Sequence, residues 1–195
     1  MTAFLNWCSL LLVIVTTIGL LLSRDWRWSL GFLAAQYLGV FWLSAAHWPA
    51  SMAAAKLVTG WMVCTALGIT QISVPSSQKS ETSWPQGWPF RIFAATFALT
   101  VTLALAIRAV PWLGLDLPVA WGGLILLGMG LLQIGITAQP FRVILATLTF
   151  ISGFEVLYAA VESSLLVAAL LTIVNLGLAL TGAYFLVANA VEEIQ

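Results

Sequence analysis

The sequence predicts an all-α integral membrane protein with about seven transmembrane helices. Of its 195 residues, 7% are charged and 62% are hydrophobic, whereas about 25% of the residues of a soluble domain are charged. The hydrophobic residues also form continuous runs of about 20, the length of a membrane-spanning helix. Strands of a membrane β-barrel would instead alternate apolar and polar residues. The composition therefore excludes a soluble enzyme, a nucleic-acid-binding protein and a disordered chain.

Seven apolar segments are separated by short polar or proline-containing stretches. Arg24-Asp25-Trp26-Arg27 follows the first segment and Trp48-Pro49 follows the second. Residues 73–89 form the longest polar stretch, and their proline and serine content predicts a surface loop. The predicted helices are Phe4–Ser23, Trp28–His47, Ala50–Ile72, Phe90–Ile107, Val119–Ala138, Phe141–Val161 and Ser163–Ala190.

The distribution of basic residues predicts the orientation of these helices. Cytoplasmic loops carry an excess of lysine and arginine. The even-numbered loops contain only Arg108, and the odd-numbered loops contain Arg24, Arg27, Lys79, Arg91 and Arg142. We therefore expect the N-terminus outside and the C-terminus in the cytoplasm.

Weak internal similarity suggests a parallel 3+1+3 arrangement of the helices. A shift of about 115 residues places Arg27 on Arg142 and one group of three helices on the other. The predicted segments are an N-terminal three-helix unit (1–72), a cytoplasmic polar loop (73–89), a linking helix and loop (90–118) and a C-terminal three-helix unit (119–195).

Glu155 is the first candidate functional residue, because it lies inside the sixth apolar segment. An ionisable side chain at bilayer depth is costly and usually faces a protein interior or a water-filled path. Helical spacing places Ser152, Tyr158 and Glu162 on the same stripe. One interpretation is a proton relay at Glu155, supported by Ser152 and Tyr158; the other is a structural carboxyl group held by hydrogen bonds between helices.

Lys56 is the second candidate and lies early in the third segment. Its long side chain can lift the ammonium group to the membrane interface. Alternatively, the lysine is buried and forms a pair with a carboxylate. Both interpretations stay open at the level of the sequence.

Neutral polar residues in the middle of other segments complete the candidate set. Gln36, Gln133 and Asn175 are each expected to form a hydrogen bond between helices. No metal or cofactor site is predicted, because the chain has one histidine and only two cysteines, both within apolar runs. No catalytic motif of soluble enzymes is present, so we expect no redox centre in this chain.

Residues 121–186 resemble the three-helix K subunit of NADH:quinone oxidoreductase (complex I) and the C subunit of multisubunit cation/proton antiporters. The resemblance lies in GLILLGMGLLQIGI, in a basic turn at Arg142, in the glutamate of SGFEVLYAA and in IVNLGLAL. It implies that Glu155 corresponds to the membrane glutamate of that family. The family has a second glutamate in its third helix. This sequence has no glutamate at that place, which falls at about Ile173, with Asn175 close by.

Over its whole length the sequence resembles component E of hydrogenase-4-type membrane complexes. RWSLGFLAAQYL and AAAKLV match its second and third helices, which implies that Lys56 corresponds to its membrane lysine. The resemblance implies a subunit of a complex-I-like assembly in a bacterial plasma membrane, or in a thylakoid or organelle inner membrane. Its partners would be antiporter-like chains, lipid and translocated H⁺ or Na⁺. The alternatives are a purely structural membrane subunit and a small free-standing transporter.

Overall fold

The computed structural model describes residues 2–23, 25–73, 87–162 and 164–192, and these residues form seven α-helices. This confirms the predicted all-α fold class. The helices are α1 (Thr2–Leu22), α2 (Trp26–Ala45), α3 (Ala50–Ser73), α4 (Trp88–Leu113), α5 (Leu117–Ile136), α6 (Pro140–Val161) and α7 (Leu165–Glu192).

Six of the seven helices are long and apolar enough to cross a membrane, and α2 is the exception. Gln36, Tyr37 and three tryptophans reduce the mean hydropathy of α2. Its 20 residues nevertheless extend for about 30 Å. Three residues connect it to α1 and four to α3, and such short connections join antiparallel neighbours. The chain is an integral membrane protein, in which α2 packs lengthwise beside α1 and α3.

Helix α4 is longer than the sequence predicted. It begins at Trp88 and ends at Leu113, two residues earlier and six residues later than predicted, so Arg108 lies inside it rather than beyond its end. Arginine favours helix almost as strongly as alanine does, and a helix continues beyond the apolar core of the bilayer. Gly114 ends α4 with φ of 64° and donates its N–H to Val110 O at 2.9 Å. This left-handed conformation is the one that glycine adopts most easily.

The predicted loop at residues 73–89 is shorter at both ends than expected, because Ser73 ends α3 and Trp88 begins α4. Residues 74–86, which include Lys79, lie outside the described residues, as does Arg24.

The helices form two rows of three with α4 at one end. Helices α1, α2 and α3 pack side by side in the first row, and α5, α6 and α7 do so in the second. Across the rows, α1 contacts α5, α2 contacts α6 and α3 contacts α7, while α4 packs against α5 and α1. Any group on the inner face of α3 or α6 is therefore enclosed by helices of both rows.

The helix bounds of the two rows are related by a nearly constant shift. The first residues of the paired helices are Thr2 and Leu117, Trp26 and Pro140, and Ala50 and Leu165, so they lie 115, 114 and 115 residues apart. Three helices lie between the members of each pair along the chain, which makes the two members parallel if every helix spans the membrane. The internal duplication stays a prediction, and these bounds fit it.

Helices α5 and α6 are held in close contact by glycines. A Cβ atom added to Gly153 would lie 2.6 Å from the backbone nitrogen of Leu127, and one added to Gly130 would lie 2.6 Å from that of Phe150. Small residues let membrane helices approach until their backbones touch. This contact fixes the rotation of α6 about its own axis, and with it the direction of Glu155.

Two arginines donate hydrogen bonds to carbonyl groups at the C-terminal end of α1. Arg91 donates from Nη1 to Leu21 O at 3.3 Å, and Arg142 donates from Nη2 to Ser23 O at 2.7 Å. The last carbonyl groups of a helix have no partner within the helix. The two guanidinium groups supply such partners at the end of the bundle that we call the Arg142 end. The opposite end, where α2 connects to α3 and α6 to α7, is the Trp48 end.

Candidate functional site

Side chains from three helices meet at the carboxylate of Glu155 on α6. The Lys56 ammonium group, on α3, forms an ion pair with Glu155 Oε1. Asn175 on α7 donates from Nδ2 to the same oxygen at 2.8 Å. The exposed fractions of Lys56, Glu155 and Asn175 are 5%, 1% and 1%. We call Lys56 and Glu155 the buried pair.

The direction of Glu155 follows from the packing of α6. Gly153 faces α5, where its backbone meets that of Leu127. Glu155 is two residues further along, which is a rotation of about 200° around the helix. Its side chain therefore leaves α6 on the side away from α5 and enters the space between α3 and α7.

Lys56 lies on the buried face of α3. That face repeats at helical spacing and consists of Ala53, Lys56, Thr59, Gly60, Val63, Cys64 and Leu67. The ammonium group lies within this face, bonded to Glu155, and does not extend to the membrane interface. Of the two sequence interpretations, the structure shows the buried lysine paired with a carboxylate.

The hydrogen bonds of Glu155 are asymmetric. Oε1 accepts from both Lys56 and Asn175. Oε2 is buried and has no hydrogen-bond partner among the described residues, and the same holds for Asn175 Oδ1. Because the lone pairs of Oε1 are already occupied, Oε2 is the oxygen that remains available to take up a proton.

An aromatic layer closes the site at the Trp48 end. Trp48 is 4% exposed, and its indole N–H donates to Glu162 O, the C-cap residue of α6, at 3.0 Å. Its ring meets that of Tyr158 edge-on, with the ring centroids 6.5 Å apart. Ala159 and Ala168 pack beside it. This layer separates the buried pair from the nearer end of the bundle.

The distance to the Arg142 end is longer. Glu155 lies six residues before the last residue of α6 and fifteen after the first, or about 9 Å and about 22 Å along the helix. The longer path passes a cluster of buried apolar side chains. Its members include Leu33, Val63, Leu67, Leu145 and Leu148. The buried pair is thus enclosed on both sides and lies closer to the Trp48 end.

Two of the predicted supporting residues do not bond to Glu155 in the structure. Ser152 is fully buried, but its hydroxyl donates to Leu148 O at 2.8 Å. A serine inside a helix can bond to the carbonyl four residues earlier, and this bond uses its one proton. Tyr158 packs against Trp48 and stacks on Phe154. Ser152 and Tyr158 therefore share a helical stripe with Glu155, but their hydroxyl and ring have other partners.

The neutral polar residues have mixed outcomes. Asn175 bonds to Glu155, and Gln133 donates to Thr17 O on α1 at 3.4 Å, so both join helices as expected. Gln36 is 1% exposed, and neither atom of its amide has a hydrogen-bond partner within the described part of the chain. The expected interhelical bond of Gln36 is therefore not present.

Tyr37 is a site residue that the sequence did not reveal. It lies on α2 with an exposed fraction of 3%, and its hydroxyl lies beside Ser152, one turn before Glu155 on α6. This hydroxyl makes no hydrogen bond of good geometry to any described residue. The sequence places a polar Gln36-Tyr37 pair in α2 but does not show which of its faces meets α6.

The described side chains around the site do not form a set of metal ligands. In the parts of the chain that the structure describes, no three His, Cys, Asp or Glu side chains lie together. What the arrangement offers is one carboxylate, one ammonium group and several neutral polar groups. Such a set can hold, donate and accept protons.

No family model, curated protein or solved structure matches the chain.

Proposed function

We propose that the chain is an ion-translocating membrane subunit in which Glu155 takes up and releases a proton. The observation that supports this proposal is the Lys56–Glu155 ion pair, buried between α3 and α6 in a membrane protein. On the motif resemblance, its setting is the membrane arm of a complex-I-like oxidoreductase or hydrogenase. The electron-transfer chemistry would belong to other subunits.

The cost of the pair is the first argument for a function. Removing two charges from water costs several kcal/mol per ion, and their mutual attraction often does no more than offset that cost. Apolar residues of similar size would therefore hold α3 and α6 together equally well. Ionisable residues at this depth commonly mark ion and proton pathways. A translocation role accounts for the pair where stability alone does not.

The chemistry of the pair supports protons as the translocated or coupled species. At low dielectric an ion pair loses much of its advantage over a neutral acid beside a neutral amine. A proton at Glu155 can then be added or removed at modest cost. Each such change alters the electrostatic field at Lys56 and the net charge of the site. Neighbouring subunits can respond to that change in charge.

The outer helices provide surfaces for other membrane chains. Helices α4 and α7 are the least buried of the apolar spans, and they expose large side chains such as Phe93, Phe97, Leu166 and Ile173. Lipid or antiporter-like subunits would cover these faces in the proposed assembly.

A structural role is the competing proposal, and one observation favours it. The ion pair and the Asn175 hydrogen bond together connect α3 of the first row to α6 and α7 of the second. Such a clamp would fix the two rows without any change in protonation.

Replacement of Glu155 separates the two proposals. Glu155→Gln retains the shape and the hydrogen bonding of the side chain but removes the titratable proton. We expect the chain to accumulate and assemble normally, while ion translocation in sealed membrane vesicles from the native host falls strongly. The matched control is Glu162→Gln, since Glu162 is exposed at the end of the same helix. Wild-type translocation in normally assembled Glu155→Gln vesicles would favour the structural clamp.

Purification in a mild detergent tests the proposed setting. Large antiporter-like chains that co-purify with the wild-type protein support a multisubunit assembly. A stable monomer or dimer that translocates ions alone would instead support a free-standing transporter.

A further inference from the structure

We propose that Tyr37 is the residue through which Glu155 exchanges its proton, with the phenol hydroxyl linked to Glu155 Oε2 by one bound water molecule. This inference rests on the proposed proton uptake at Glu155 and assigns a route to it. Tyr37 thereby becomes the functional contribution of α2, the helix of the first row that is not apolar enough to count as a membrane span.

The position of the Tyr37 ring is fixed by glycine. A Cβ atom added to Gly60 on α3 would lie 2.4 Å from Cγ of the ring. Gly60 is one turn beyond Lys56 on the buried face of α3, so the ring packs directly beside the buried pair. Tyr37 also belongs to the same buried cluster as Val63 and Leu148. With its base against α3, the ring has its hydroxyl beside Ser152, which lies one turn before Glu155 on the buried face of α6.

Two buried polar atoms in this space require partners. The Tyr37 hydroxyl and Glu155 Oε2 each make no hydrogen bond to a described residue. A buried polar group without a hydrogen bond costs about 1–3 kcal/mol in proteins. Buried water molecules typically satisfy such groups when two to four polar partners are near. Tyr37, Glu155 and Ser152 supply that number of partners around one water molecule.

The chemistry of a phenol suits a proton exchange in both directions. A tyrosine hydroxyl both donates and accepts, so it can bond to Glu155 through water in either protonation state. For uptake, a proton arrives on the phenol oxygen and the phenol passes its own proton to the water. The water then passes one of its protons to Oε2. One proton enters, one carboxylate becomes a carboxyl group, and both tyrosine and water end unchanged.

Infrared spectroscopy of the carboxyl group tests the contact itself. The sample is the chain purified in a mild detergent with any chains that remain bound, and Glu155→Gln identifies the carboxyl band of Glu155. Tyr37→Phe retains the ring against Gly60 and removes only the hydroxyl. We expect the Glu155 band to move to higher wavenumber, because the bridging water loses one of its partners and its hydrogen bond to the protonated carboxyl weakens. Tyr184→Phe is the control, since Tyr184 is 70% exposed on α7.

Translocation in sealed vesicles tests the role. With chain levels matched, Tyr37→Phe should slow translocation by up to about tenfold, the factor that one hydrogen bond of ordinary strength supplies. An unshifted band, or a shifted band with translocation at the wild-type rate, overturns the assignment of Tyr37 while Glu155 keeps its role. If Glu155→Gln translocates normally or no Glu155 band exists, the proposed function fails, and this inference fails with it.

Discussion

At the scale of single residues, the free energy of the buried pair depends on both charges being present. Lys56→Met should destabilise the protein by about 3–5 kcal/mol, because it leaves the Glu155 carboxylate buried without a counter-charge. The double variant Lys56→Met/Glu155→Gln should recover most of this loss, since neither charge remains. Unfolding in a graded denaturing detergent, followed by circular dichroism, measures both values. Additive losses in the double variant would show that the two side chains do not interact.

Lys56→Arg is the companion test of geometry. A planar guanidinium group does not replace a compact ammonium group that shares one carboxylate oxygen with Asn175. We expect this variant to assemble but to translocate ions more slowly than the wild type. Wild-type translocation would mean that only the sign of the charge at position 56 matters.

The sequence identified the residues of the site whose chemistry contrasts with their surroundings. A glutamate and a lysine are conspicuous within apolar segments, and both were predicted as candidates. Tyr37 was not, because a tyrosine in a membrane helix has many uses and the role we propose for it depends on its neighbours in other helices, Gly60 and Ser152. Ser152 and Tyr158 share the helical stripe of Glu155, but periodicity does not reveal which partner each hydroxyl or ring finds.

At the scale of helices, the contact between α5 and α6 should tolerate no added side chain. Gly153→Ala places a methyl group against the backbone of Leu127 and should cost about 1–3 kcal/mol as the helices separate. Gly177→Ala is the matched control, because nothing lies within 4 Å of a Cβ atom added there. That control should be neutral or stabilising by up to about 1 kcal/mol, since alanine favours helix over glycine.

Thermal unfolding in detergent compares these two alanine variants. Equal melting temperatures would contradict the close backbone contact. If the contact also sets the direction of Glu155, translocation should fall in Gly153→Ala at temperatures where the chain remains folded.

Helix bounds were predictable where an apolar run ends in proline or charge, and less so elsewhere. The start of α3 at Ala50 follows Pro49, and sequence and structure agree there. The C-terminal end of α4 differs, because Arg108 is a good helix former and the helix continues through it to Leu113. Hydropathy detects the part of a helix that lies in lipid, whereas hydrogen bonds determine where the helix ends.

At the scale of the whole molecule, the connection between α5 and α6 and the one between α4 and α5 should lie on opposite sides of the membrane. In a variant without Cys8 and Cys64, a cysteine at Asp116 should react with a membrane-impermeant thiol reagent in intact cells. A cysteine at Ala138 should react only after the cells are permeabilised, because Arg142 at the start of α6 predicts that this end of the bundle is cytoplasmic. The reverse pattern would overturn the proposed orientation.

The number of crossings depends on α2. A cysteine at Thr2 and one at Ala138 should show opposite labelling if α1 to α5 all cross the membrane. The same labelling at both positions would mean that α2 packs within the bundle without crossing, in keeping with its lower hydropathy.

The central claim is that the carboxyl group of Glu155 changes its protonation state under physiological conditions. The most direct measurement is the amplitude of its infrared band in the purified protein between about pH 5 and pH 8. We predict that the band grows as the pH falls, shrinks reversibly as the pH rises, and is missing in Glu155→Gln. A Glu155 band of constant amplitude, or none at any pH in this range, would show a carboxyl group locked in one state by Lys56 and Asn175, and would contradict the account.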